Sequence, residues 1–437
     1  MAEETATVRI QQMHQKLKQP PQLLSSAAGK PTCSIFRVPQ SMIEVNGKSY
    51  EPRVVSIGPL HRGEKHVKMI EEHKWRYLNA LLARTNDFLC LEDYVTSVQR
   101  VEDEARECYS ETIPMDSDEF NEVMVLDGCF ILECFRKVAK LVPFDPDDPI
   151  VAMSWILPFF YRDFLRLENQ IPYFVLEILF DLTKDQESNV SLSSLAFNFF
   201  NNVMHRTETD LARFKELGGK HLLDLVRTSL LPASDLHAPP PRRRPTPSHI
   251  IHSISKLRRA GIKLRELSGD DEERTLGLSF LVVRFRHGVI EMPTITIDDF
   301  MSSFLQNCVA YEQCHVACSK HFTTYATFLD CLINTYVDVE YLCDRNIVEN
   351  YFGTEGEVAS FVNKLGKDVA FDINECYLSD LFNQVHEYYK SSWHVQWASF
   401  KYTYFSSPWS FISALAALVL LVLSILQTFY TVYQVYM

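Results

Sequence analysis

The chain has 437 residues, a formal net charge of −13, 46% hydrophobic and 23% charged residues, with 14 Gly and 20 Pro. That balance supports a buried core and excludes a disordered or collagen-like polymer. The acidic excess argues against a nucleic-acid partner, which would demand a basic face.

Residues 1–31 are polar and carry Pro20, Pro21 and Pro31, which predicts a disordered N-terminal tail. No apolar stretch of secretory-signal type occurs there. Ile35–Pro39 and Tyr50–Pro59 place β-branched residues between prolines and read as extended segments, with a turn at Asn46-Gly47. Lys65–Ala83 has helical spacing, and the acid-rich stretch Glu92–Glu122 reads as exposed helix. In Asn121–Leu141, the residues Val123, Leu126, Phe130, Cys134, Val138 and Leu141 fall on one face of an amphipathic helix. Leu157–Leu182 is a strongly apolar helical region interrupted by Pro172, and Ser191–Phe214 is helical again. Residues 32–237 are thereby expected to form a helical N-terminal part.

Residues 238–249 are a Pro/Arg-rich stretch that reads as a stiff exposed linker. A second part, 250–401, is expected to hold a helix at Ser253–Gly261 and a hairpin of Leu278–Phe285 with Val289–Ile297. The helices Asp298–Cys314, Thr324–Cys343, Glu355–Lys367 and Leu378–Trp397 follow. The fold class is therefore mainly α: a helical soluble domain with a few short strands, including one hairpin, plus one C-terminal transmembrane helix.

That last helix is the strongest physical signal. No Asp, Glu, Lys or Arg occurs from Tyr402 to Met437. Phe411–Phe429 contains twelve Leu, Ile, Val or Phe residues, worth roughly 4–7 kcal/mol of insertion free energy. Its 19 residues reach about 28 Å, near the hydrocarbon thickness. Phe411, Leu418, Leu421 and Phe429 mark a span within 409–430, followed by a short tail, 431–437. Trp409, Tyr404, Tyr430, Tyr433 and Tyr436 resemble interfacial belts. Lys390 and Lys401 precede the span and no Lys or Arg follows it, so the positive-inside rule places the preceding chain in the cytosol. The expected arrangement is tail-anchored and single-pass, in the plasma membrane or an endomembrane, with lipid around the helix and an unnamed protein as partners. The 11 Cys stay reduced in that compartment, and the sequon at Asn189 stays unmodified.

Several segments resemble the plant family catalogued as domain of unknown function 247. They are Ile35–Pro39, Pro52–Gly63, Glu71–Leu78, Val125–Glu133 and Leu167–Glu177. Ile297–Phe300, Tyr311–Cys314, Leu332–Thr335 and the terminal Pro408-Trp409 fit as well. The resemblance implies a predominantly helical plant membrane protein, and it implies no reaction, since the family has no established catalytic activity. Some grass members resemble self-incompatibility determinants.

Phosphate-loop, serine-elbow and His-Glu-x-x-His signatures are absent. Cys308, Cys314, His315, Cys318 and His321 include zinc-type donors, but the paired spacing of a structural zinc site is missing, which favours packing. His61, His66 and His73 surround the first helix of the body and read as surface or packing residues. Asp127, Glu133, Glu168 and Glu177 are the carboxylates an acid–base hydrolase would need, and a membrane-bound hydrolase acting near Glu168 is the alternative reading. The favoured one is a non-enzymatic interaction or signalling protein, without cofactor, metal or catalytic residues. In it Glu168, Asn169 and Gln170 form a structural polar cluster: the two amides donate to carbonyls freed near Pro172, and Glu168 accepts from backbone N–H groups.

Overall fold

The computed structural model describes residues 2–18, 21, 23–85, 88–145, 147–184, 190–232, 250–267, 279–373, 376–390 and 408–436. In chain order the first helices are α1 Ala2–Lys18, α2 Gln40–Asn46, α3 Lys68–Thr85, α4 Leu91–Gln99, α5 Glu102–Glu107, α6 Ser117–Val138, α7 Pro149–Ala152, α8 Ile156–Asp163 and α9 Tyr173–Thr183. Then come α10 Leu192–Met204, α11 Glu208–Arg213, α12 Leu222–Thr228, α13 Ile254–Arg259, and the strands β1 Lys263–Glu266, β2 Arg284–Arg286, β3 Val289–Met292 and β4 Ile295–Ile297. The chain continues with α14 Asp299–Cys314, α15 His321–Leu332, α16 Tyr336–Cys343, β5 Val348–Asn350, α17 Glu355–Leu365, α18 Ser379–Lys390 and α19 Pro408–Tyr436. The fold is mainly α, with few short strands and one C-terminal apolar helix.

Helix α6 is the centre of the N-terminal part. Asp116 caps it by accepting the Glu119 N–H at 2.8 Å, with Asp118 and Glu119 in the first turn and Arg136 and Lys137 in the last, as the helix dipole favours. It packs against α3, α4, α9 and α10. With neighbours on all sides, nearly every residue from Phe120 to Lys137 is buried. This corrects the expected amphipathic helix: its polar positions Asp127, Glu133 and Arg136 are as sequestered as Leu126 and Phe130. Leu141 lies past the helix end, beyond Lys140 at φ +59°, and is exposed.

In the C-terminal part α14 packs on α15, and α17 packs on both α15 and α16. Contacts of α12 and α8 with α14 join the two parts. One contiguous apolar core includes residues from Cys33 to Val385.

Several expectations are corrected. Within the expected tail, Ala2–Lys18 is helical, with Lys16 and Lys18 at the end favoured by the dipole and residues 9–18 exposed. Asn46 and Gly47 end and begin short helical turns instead of joining two strands, and Tyr50–Pro59 is irregular. Of Ile35–Pro39, Ile35 alone makes a bridge, to Tyr109. Ser191–Phe214 is two helices, because His205 turns left-handed at φ +50°. Thr324–Cys343 is also two: Thr335 and Asp338 form a capping box that starts α16 afresh. The hairpin is present but short, β2 against β3, turning through His287 and Gly288, both at positive φ. The distal part of the expected second strand, Ile295–Ile297, instead pairs in parallel with Val348–Asn350. The sheet's third strand, β1, pairs in parallel with β3 and was missed. The linker 238–249, Asn189, Leu278 and residues 391–407 lie outside the described residues.

Candidate functional site

Arg53–Gly58 crosses the interior without entering a helix or sheet. Its backbone groups still need partners, and buried side chains supply them. The Asp163 carboxylate accepts the N–H groups of Arg53, Val54 and Val55 at 3.0, 2.8 and 3.1 Å. Asn169 Oδ1 accepts the Ile57 N–H at 2.7 Å, while its Nδ2 donates to the Val55 carbonyl at 3.0 Å and the Asp163 carbonyl at 2.9 Å. Lys74 Nζ donates to the Ser56 carbonyl at 2.5 Å and to Asp127 at 2.6 Å. Asp127 accepts the Gly58 N–H at 2.7 Å. Gly58 lies at φ +76°, and a Cβ there would stand 2.5 Å from the Gln170 carbonyl oxygen, so only glycine fits.

Glu168 and Gln170 do the same for neighbouring strands of chain. Glu168 Oε1 accepts the Val38 N–H at 2.7 Å, and its Oε2 meets Arg37 at 3.0 Å and His61 Nε2 at 3.1 Å. Gln170 Nε2 donates to the carbonyls of Phe164 and Arg166, both at 2.8 Å, and its Oε1 accepts the Leu223 N–H at 3.3 Å. The short run Glu168-Asn169-Gln170 thus ties together residues 37–57, the end of α8 and α12.

Glu168 faces a cavity of about 420 Å³ whose wall includes Arg37, Tyr50, His61, Glu64 and His66. His61 is buried, with Nδ1 2.8 Å from Glu64, whereas His66 is half-exposed and touches the Pro52 carbonyl at 2.9 Å. Burial alone would raise the Glu168 pKa, but the hydrogen bonds from His61 and the Val38 N–H, with the Arg37 charge, hold it below its ordinary 4.5. Glu168 is therefore an ionised acceptor at neutral pH with no proton to give.

The other carboxylates do not join it in one cleft. Asp127 and Glu133 are both fully buried. Glu133 takes a two-pronged contact from Arg84 at 2.7 and 2.6 Å and a third from Arg136 at 3.1 Å. Glu177 is exposed on α9, held above its ordinary pKa by partial burial and by Asp181. Among the described residues no three His, Cys, Asp or Glu are grouped to hold a metal. His315 instead packs on Phe36 and Tyr311, and His321 stacks on Tyr377. Burial pushes the Cys314 thiol up to about 12 and Cys318 to about 11, away from thiolate chemistry.

The family model described as "Plant protein of unknown function" matches residues 35–423. The chain belongs to this family. It is 38% identical to the UPF0481 protein At3g47200 of Arabidopsis thaliana over 417 residues, covering 91% of this chain and 85% of that protein. It is also 23% identical to the putative UPF0481 protein At3g02645 of the same plant, over 88% of this chain and 87% of the relative. No solved structure matches.

Sequence reasoning missed Asp163, Lys74, Arg37 and the buried pair Arg227–Glu312, whose partners lie up to 131 residues away. One local signal existed. Lys74 sits on the same α3 face as Ile70, Tyr77, Leu78 and Leu81, and a cation on an apolar face needs a buried anion.

Proposed function

We propose that this family member is a membrane-anchored interaction or signalling component without a reaction of its own, with its helical body on the cytosolic side. The observation that carries the reading is α19. Its stretch Ile412–Thr431 has 20 residues, length and composition suited to crossing a membrane, and none of it is buried against the body. Leu418, Leu421 and Phe429 are all more than half exposed; the side chain of Phe411 lies outside the described residues. Twenty residues of helix rise about 30 Å, matching the hydrocarbon thickness. Lys390 and Lys401 on the preceding flank support the cytosolic orientation. The body supports a binding role more than a chemical one, since Asp127 and Glu168 are occupied by cations and backbone donors and Glu133 by two arginines.

The test is membrane fractionation of the full chain against a chain ending at residue 407, with glycosidase treatment of the full chain. The full chain should resist carbonate extraction and show no mass shift at Asn189, and the shortened chain should be released. A shortened chain that still sediments after carbonate refutes the anchor. A glycosidase-sensitive shift abolished by Asn189→Gln reverses the orientation.

A further inference from the structure

Helix α1 is left uncovered by the body: every residue from Arg9 to Lys18 is exposed. A lone helix of 17 residues is marginal in water and draws its stability from a surface that covers its apolar face. Such a face is present. At about 100° per residue, Ile10, Met13 and Leu17 fall within about 60° of arc. Each of the three is more than half exposed, and Leu23 and Leu24, just past the helix, are exposed as well.

The polar side chains are sorted around that stripe. Arg9 and Lys16 flank it on one side, His14 and Lys18 on the other, and Gln11, Gln12 and Gln15 lie opposite. No Asp or Glu occurs from Thr5 to Ile43, in a chain whose acids outnumber its bases by 56 to 43. The helix is therefore a basic element on an acidic protein, and the surface that complements it is apolar beneath the stripe and negative along both edges. The headgroup boundary of an anionic leaflet has that character: acyl chains receive the stripe, and the Lys and Arg stems reach back to the phosphates. A second copy of the helix fits poorly. Ile10, Met13 and Leu17 have the spacing of a coiled-coil seam, but basic residues on both flanks would face like charges, and Pro20 stands where the next seam residue falls.

We propose that α1 is a second membrane contact, lying along the anionic cytosolic leaflet with Ile10, Met13 and Leu17 among the acyl chains and Arg9, Lys16 and Lys18 at the headgroups. The inference rests on the reading of α19 as an anchor, which brings α1 to that leaflet. Three apolar side chains and three cations make a weak contact by themselves, and tethering through α19 turns it into an intramolecular event for which a weak contact suffices. The body is then held to the bilayer at two points, with the second one set by the lipid charge.

The test is hydrogen-exchange mass spectrometry of the full chain in nanodiscs of phosphatidylcholine, with and without about 30 mol% phosphatidylserine. Amides of residues 9–18 should exchange at least about tenfold more slowly in the anionic discs, and about 0.5 M NaCl should remove the difference. Lys16→Glu combined with Lys18→Glu should abolish the slowing, and so should Met13→Ser combined with Leu17→Ser. Gln11→Ser with Gln15→Ser places the same helix-weakening residue on the opposite face and should leave it in place. Equal exchange in the two kinds of disc overturns the proposal, whether fast, as for an uncovered helix, or slow, as for one covered by protein. Slowing that survives the charge reversal overturns it too. A chain released by carbonate refutes the anchor and the proposal with it, whereas a carbonate-resistant chain with equal exchange refutes the α1 contact alone.

Discussion

Replacing Asn169 by Ala removes a buried side chain that serves three backbone groups at once. The Ile57 N–H loses its acceptor, and the Val55 and Asp163 carbonyls lose a donor, all around a side chain with 0% exposure. At about 1–3 kcal/mol for each buried group left unpaired, the three together amount to roughly 3–9 kcal/mol. Water entering the space left by the amide re-pairs part of this, which puts the expected loss near the lower end, at about 3–5 kcal/mol. Against a typical total stability of about 5–15 kcal/mol, that is a large fraction. At ~2 °C per kcal/mol it lowers the melting temperature by about 6–10 °C. Asn169→Asp keeps the acceptor for Ile57 but turns an oxygen toward two carbonyls, so it should melt no higher than Asn169→Ala. Glu168→Gln retains an acceptor for the Val38 N–H and should cost less than Glu168→Ala, which retains none. Differential scanning fluorimetry of the full chain in nanodiscs measures all four. Melting unchanged to within about 1 °C in Asn169→Ala would refute the claim that this side chain carries the irregular segment.

His221 offers a pH signature. Burial, opposed by Asp224, lowers its pKa from 6.5 to about 4, and the neutral ring donates Nε2–H to the Ser34 carbonyl at 3.0 Å while Nδ1 accepts the Asp224 N–H at 3.2 Å. The unfolded chain binds this proton below 6.5 and the folded chain only below about 4, so its stabilisation is whole above 6.5 and declines as pH falls between them. From pH 7 to 5 the urea-unfolding free energy should drop by roughly 2 kcal/mol through this group, and His221→Gln should show a correspondingly smaller drop; equal slopes would contradict the assignment. Lys74→Met leaves Asp127 as a buried charge retaining the Gly58 N–H but no cation, and should destabilise by about 3–5 kcal/mol. Adding Asp127→Leu should recover part of that loss, and a double variant no better than the single one would show that the pair is not coupled.

The sequence by itself determined the elements whose cause is local. The uncharged run before Phe429, the capped start of α6 at Asp116 and the two-residue turn at His287-Gly288 all depend on residues within a few positions of one another. The same holds for the roles of the polar side chains around Pro172 in general terms: amides that donate to carbonyls and a carboxylate that accepts N–H groups. Which groups they serve was decided only in three dimensions, because the recipients lie 53 to 131 residues away along the chain for Gln170 to Leu223, Asn169 to Val55 and Ile57, and Glu168 to Arg37. Tyr50–Pro59 shows the limit most directly. Its β-branched residues between prolines have strand propensity, yet among the described residues no strand pairs with it, and Asp163, Asn169, Asp127 and Lys74 satisfy its backbone instead. The breaks at His205 and Thr335 are of intermediate kind: an apolar period continues across each, and a left-handed residue or a capping box overrides it. Helix α6 reads as one-sided because periodicity records only where apolar residues recur. Its other buried positions mix apolar residues such as Val125, Ile131 and Leu132 with Asp127, Glu133 and Arg136, and α3 supplies the counter-charges, Lys74 to Asp127 and Arg84 to Glu133. A charge can be buried once its counter-charge arrives, and the arrival is a property of the tertiary structure alone.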